Sequence, residues 1–112
     1  MKFSTNELYN AVVISFTGKL MGGPEAVDFH NKIEDYLKSA KKNVILEMTN
    51  VKYVNSSGIG NIIRAFSTVK DAGGKLKLAG VTDKVEGVLS ITKLLSIFEL
   101  YNSVDEAAKS FN

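Results

Sequence analysis

Residues 43–79 read NVILEMTNVKYVNSSGIGNIIRAFSTVKDAGGKLKLA, and the pattern changes twice along them. Val44, Leu46 and Met48 alternate over residues 43–49, which predicts a strand with one face inward. A short segment, Val51 to Val54, leads into Asn55-Ser56-Ser57-Gly58-Ile59-Gly60. From there Ile59, Ile62, Ile63, Phe66 and Val69 fall on one stripe at helical spacing. Ala72-Gly73-Gly74 ends that helix, since glycine takes the left-handed conformation that closes one. Lys75-Leu76-Lys77-Leu78-Ala79 then alternates with period two, as a half-exposed strand does. Strand, helix and strand in this order make the repeating unit of a parallel sheet.

Working back towards the N-terminus, residues 11–17 are apolar and rich in β-branched side chains, which predicts a well-buried strand. Residues 2–8 alternate loosely around Phe3 and Leu8, and Asn10 marks a hairpin-like turn between the two segments. They read as an antiparallel pair. Gly22 and Gly23 break the pattern, and Pro24, the only proline, suits the first turn of a helix. Ala26, Phe29, Ile33, Tyr36 and Leu37 give that helix its apolar stripe. Glu25, Asp28, Lys32, Glu34, Asp35 and Lys38 fill the other face, and His30 reads as a surface residue on the polar side.

Forward of residue 79, Thr82 and Asp83 open a third helix carrying Val85, Val88 and Leu89. Residues 96–101 suggest a last strand. Ser103 and Glu106 match a capping box, in which serine and glutamate each satisfy a free amide at a helix start. No linker, repeat or low-complexity tract interrupts residues 1–112, which are expected to form one α/β domain. Its central sheet is mostly parallel with an N-terminal antiparallel strand, covered by about four helices.

The 112 residues suffice for a core that buries roughly two-thirds of the unfolded surface. Cysteine is absent, which excludes disulfides and thiolate metal sites and suits a reducing compartment. The net charge is only +2. Lys38, Lys41 and Lys42 are the nearest approach to a basic patch, and they read as cations closing the first helix. No nucleic-acid partner is expected. The apolar runs fall far short of the roughly 20 residues that span a bilayer, and no signal peptide is visible. A soluble, cytoplasmic protein without a membrane partner is the expectation.

The junction at residues 55–60 departs from plain scaffolding. Ser56 or Ser57 would cap the second helix, accepting a hydrogen bond from a first-turn amide. Gly58 and Gly60 put two poor helix formers in that turn, at about 1 kcal/mol each relative to alanine. Such a cost is tolerated where the backbone turns sharply or is approached closely. On this chemistry alone a cap with shaping glycines is the plainer account, and an accessible hydroxyl at a helix N-terminus is the sharper one.

Four segments, in order, bear on the choice: Gly18-Lys19-Leu20, Val54 to Gly60, Ala72 to Leu78, and Leu94 to Tyr101 with its acidic-capped helix. Together they cover essentially the whole chain, and it resembles the STAS domain family in its free-standing anti-sigma factor antagonist branch. The resemblance implies that a cognate anti-sigma factor, itself a serine kinase, phosphorylates a serine at this junction. By position in the motif that serine is Ser56. The unmodified antagonist would hold the anti-sigma factor, the phosphorylated form would release it, and a phosphatase would reset the switch. The partner surface would comprise Asn55, Ser56, Ser57, Gly58, Ile59, Gly60, Asn61 and Arg64. Two positions depart from the family pattern. Asn55 stands where an acidic residue often precedes the phosphoserine, and Met21 stands where an aspartate often follows Gly-x-Leu.

No enzymatic constellation accompanies these residues. The single histidine, His30, has no partnered nucleophile in the sequence pattern, and the G-x-S-x-G elbow is broken by Asn55. Gly73-Gly74-Lys75 lacks the remaining residues of a phosphate-binding loop, and no metal ligand set or cofactor motif is present. Two other functions share the same surface. A constitutive interaction module would dock a partner without modification of Ser56, and a small-ligand or nucleotide sensor would use the amides at the helix start.

Overall fold

The computed structural model describes residues 1–111. Its strands are β1 (Lys2–Glu7), β2 (Val12–Leu20), β3 (Asn43–Val54), β4 (Lys75–Ala79) and β5 (Leu100–Tyr101). Its helices are α1 (Pro24–Lys38), α2 (Ser56–Asp71), α3 (Asp83–Ile91) and α4 (Val104–Lys109). The strands lie side by side in chain order, with β1 antiparallel to β2 and every later neighbour parallel. The α/β architecture is the expected one, a mostly parallel sheet entered through an antiparallel hairpin and covered by helices.

Alternation along the strands divides the core. Val12, Ile14, Phe16 and Leu20 of β2 join Val44, Leu46 and Met48 of β3 beneath α1, α2 and α3. Phe16 and Phe29 meet edge to face with ring centroids 5.2 Å apart, and Phe3 packs against both. Each such pair adds roughly 0.5–1.5 kcal/mol beyond the area it buries. The opposite parity, Val13, Ile45 and Ala79, faces α4 through Ala107. Both faces of the central strands are therefore covered, as parallel sheets require.

Several local expectations are corrected. β3 is one 12-residue strand, because Asn50 to Val54 continue to pair with β2 beyond the end of β4. Residues 96–101 are not a continuous strand: Leu95–Ile97 form a one-turn 3-10 helix, and only Leu100 and Tyr101 pair with β4. β4 is not half-exposed, since α4 covers its second face and leaves Lys77 only 3% exposed. Lys77 Nζ donates to Ser110 Oγ at 2.7 Å and lies 4.4 Å from the Phe111 ring centroid. Burial of this lysine is offset by hydrogen bonding and by the ring face. α1 ends at Lys38, so Lys41 and Lys42 lie beyond it, and Lys41 pairs with Glu7 of β1.

His30 is not a surface residue. It is 7% exposed, packed beside Phe29 at 5.0 Å between ring centroids. It sits four residues after Ala26 and three before Ile33, so α1 turns it onto the inward stripe despite its polarity. Its ring finds a polar partner on α2, as described below.

Candidate functional site

β2 and β3 end side by side, with Leu20 in register with Val54. The chain leaves β2 at Met21-Gly22 and leaves β3 at Asn55, which brings the β2–α1 connection against the first turn of α2. The Asn55 N–H donates to the Leu20 carbonyl at 3.3 Å. Gly58 presses on the same carbonyl so closely that a Cβ there would overlap the Leu20 oxygen and carbon. This close approach explains one of the two glycines in the turn. Gly60 has open space around it, and nothing in the packing requires it.

The helix cap differs from the sequence expectation. Neither serine caps α2. Asn55 is the N-cap, extended at φ −127° and ψ 179°, with Oδ1 accepting from the Gly58 N–H at 2.9 Å. An asparagine cap is worth about 1 kcal/mol over alanine. With the cap supplied by residue 55, Ser56 becomes the first helical residue, and its side chain is left exposed. Ser57 is exposed as well.

Residues 55–64 are thus brought to one end of α2, but not all to one surface. Ser56, Ser57, Gly60 and Arg64 are exposed and share a stripe with Ser67, separated by helical turns. Gly58 and Ile59 are buried and support the turn from beneath. Asn61 is half-buried, and both ends of its amide are engaged. Nδ2 donates to the Ser57 carbonyl at 3.0 Å, and Oδ1 lies 2.9 Å from His30 Nε2. Two neighbours were absent from the sequence expectation. Tyr53, 48% exposed, flanks the junction, and Lys19 is in register with it on β2. An exposed aromatic beside a turn carries no sequence signal until strand pairing is known.

The electrostatics follow from the helix. No acidic residue stands in the first turn of α2. The partial positive charge of the helix N-terminus there is uncompensated by a side chain and favours an added anion. Lys19 and Lys52 lie exposed on the adjoining strands, and Lys84 Nζ donates to the Lys52 carbonyl at 3.3 Å. Chemically the site offers an accessible hydroxyl at an electropositive helix start. Among the described residues no three His, Asp, Glu or Cys side chains converge on a point that would hold a metal ion. No helix among them is long and apolar enough to cross a membrane.

A family model for the STAS domain matches residues 2–107. A Thermotoga neapolitana protein named as a candidate anti-sigma factor antagonist is 30% identical over 74 residues, 66% of each chain. The anti-sigma-B factor antagonist of Listeria monocytogenes is 29% identical over 75 residues, 63% of this chain and 66% of that one. The matched stretch therefore spans just under two thirds of these relatives' own length. Among solved structures, the anti-sigma factor antagonist SpoIIAA in its unphosphorylated form superposes with a TM-score of 0.83 at 19% identity, covering 98% of this chain and 96% of that one. The phosphorylated form of Bacillus SpoIIAA superposes with a TM-score of 0.78 at 17% identity, covering 99% and 100%. At those identities the likeness is one of fold.

Proposed function

The chain belongs to the STAS domain family, and from that premise we propose that it is an anti-sigma factor antagonist switched by phosphorylation of Ser56. The unmodified protein binds an anti-sigma factor through the exposed start of α2, with Asn55, Ser56, Ser57, Gly60 and Arg64 in the contact and Gly58, Ile59 and Asn61 shaping it. The anti-sigma factor is also the serine kinase, and a phosphatase restores the unmodified state.

The observation that carries this reading is the position of Ser56. It is the first residue of a 16-residue helix, exposed, and not consumed as the cap. Phosphorylation adds about −1.5 to −2 charge and three acceptor oxygens at that point. The helix N-terminus accepts such a group without unfolding. A partner docked over Ser56 meets the new charge and bulk directly, and loses affinity by repulsion and desolvation. The fold persists while the interface fails.

Family membership supports the anti-sigma factor as partner class, since relatives of this chain carry that function in their names. The test is phosphosite mapping. Unmodified protein is incubated with its anti-sigma factor and ATP, alongside Ser56→Ala and Ser57→Ala variants, and digests are analysed by mass spectrometry. The reading expects one phosphate, on Ser56, retained in Ser57→Ala and lost in Ser56→Ala. Stable complex formation with no phosphate on any variant would instead favour a constitutive interaction module.

A further inference from the structure

We propose that His30 is a positioning residue of the switch, holding the Ser56–Ser57 turn in place through Asn61. This rests on the function proposed above for that turn, but the geometry is independent of it. The amide of Asn61 has only one orientation that satisfies both of its neighbours. Nδ2 must face the Ser57 carbonyl, an acceptor, at 3.0 Å, so Oδ1 faces His30 Nε2 at 2.9 Å. Oδ1 cannot donate, so His30 must present an N–H at Nε2. The result is a directed chain: His30 Nε2–H to Asn61 Oδ1, then Asn61 Nδ2–H to the carbonyl of the residue beside Ser56.

Three features make this more than a surface hydrogen bond. His30 is 7% exposed, so water competes poorly for its N–H. Its ring packs beside Phe29, 5.0 Å between centroids, and Phe29 packs on Phe16 in the main core. The Ser57 carbonyl that Asn61 reaches lies in a turn also held by the Asn55 cap and, from β2, by the Leu20 carbonyl. The Ser56–Ser57 turn is therefore braced from two sides, β2 and α1. Of these two braces, only the one from α1 runs through side chains that a substitution can remove while leaving the backbone path intact; the Asn55 cap is local to α2 itself.

Asn61 consequently does not present a free amide to a partner, contrary to what its place on the polar side of α2 suggests. It acts inward, and His30 selects that orientation. Without a donor at position 30 the amide is free to turn, and the Ser57 carbonyl loses its side-chain support.

The experiment compares His30→Gln, His30→Leu and the unchanged protein. Glutamine carries an N–H on a side chain of similar reach, whereas leucine fills the space without a donor. Two quantities are read: affinity for the anti-sigma factor, and the Asn61 side-chain NH2 signals and exchange rates by 15N NMR. The proposal expects His30→Leu to bind about tenfold more weakly, the scale of one neutral hydrogen bond. It also expects faster exchange of the Asn61 amide in that variant, with both properties largely rescued in His30→Gln. Unaltered Asn61 exchange in His30→Leu would overturn the brace. Equal loss of affinity in both variants, with equally lowered melting temperatures, would overturn the positioning role in favour of plain packing. If the unchanged protein binds no anti-sigma factor, the proposed function fails, while the NMR comparison still decides whether the brace exists.

Discussion

The carbonyl oxygen of Leu20 occupies the space in which a side chain on residue 58 would begin, so that the end of β2 and the start of α2 fit only with glycine there. The same oxygen accepts the Asn55 N–H. Two parts of the chain nearly forty residues apart in sequence are thus locked together at the base of the exposed serines. Gly58→Ala should lower stability by about 1–3 kcal/mol, the range for overpacking a tight contact. Urea unfolding of the two proteins measures it. Gly60→Ala is the control, since a Cβ there meets nothing, and it should leave stability unchanged or raise it.

Asn55 supplies the only side-chain cap on α2. Asn55→Ala should cost about 1 kcal/mol. Asn55→Asp should retain the cap and place a negative charge at the helix start, for a gain of about 0.3–1 kcal/mol at low salt that shrinks as salt is added. Thermal unfolding of the three proteins at two salt concentrations checks both statements.

Much of the fold is legible in the residues, and the features that are not have physical causes. The apolar, β-branched run at residues 11–17, the alternation at 43–49 and 75–79, and the 3.6-residue stripes from Ala26 and Ile59 mark β2, β3, β4, α1 and α2, and their succession marks a mostly parallel sheet. The side-by-side strand order is visible only in the structure. His30 is polar, yet it shares a helical face with Ala26, Ile33 and Leu37, and position on that face outweighs polarity in burying it. Alternation alone cannot say whether a second layer covers the outer face of β4, where α4 lies over Lys77. At the junction, three consecutive capping residues competed for one N-cap. The choice of Asn55 over Ser56 depends on the Leu20 carbonyl, which fixes where the strand stops and the helix begins. Residues 96–101 looked like a strand, but only two of them reach the edge of β4.

Lys77 tests the second layer. Lys77→Ala removes the stem from a covered face along with its bonds to Ser110, and should cost about 2–3 kcal/mol. Lys77→Met keeps the volume and removes the charge, and should cost much less, since buried ionic groups are often replaceable by apolar ones. Glu99 lies 3.5 Å from the same amine but is largely exposed, so it adds little. Hydrogen exchange across α4 should speed up in Lys77→Ala and stay near the native rate in Lys77→Met.

Glu7 and Lys41 join the end of β1 to the loop after α1, and the Lys41 hydrogen bond and charge hold the Glu7 carboxyl below its usual range. A carboxyl with a lowered folded-state pKa contributes stability above its unfolded pKa and loses it as pH falls through the folded value. In a carbon-detected NMR titration Glu7 should therefore titrate at lower pH than an ordinary glutamate. In Lys41→Ala it should move upward. No change in that variant would show that the pair does not persist in solution.

The central claim is that Ser56 governs an interface and not the fold. Ser56→Glu adds charge where α2 has no acidic residue in its first turn, so its melting temperature should equal or slightly exceed that of Ser56→Ala. The decisive measurement is the affinity of these two variants for the proposed partner, an anti-sigma factor, with the baits immobilised side by side and the retained protein identified by mass spectrometry before titration. The account predicts tight binding by Ser56→Ala and a loss of at least about tenfold, roughly 1.4 kcal/mol, in Ser56→Glu. Equal affinity in the two folded variants would contradict it, leaving Ser56 as an ordinary first residue of a helix.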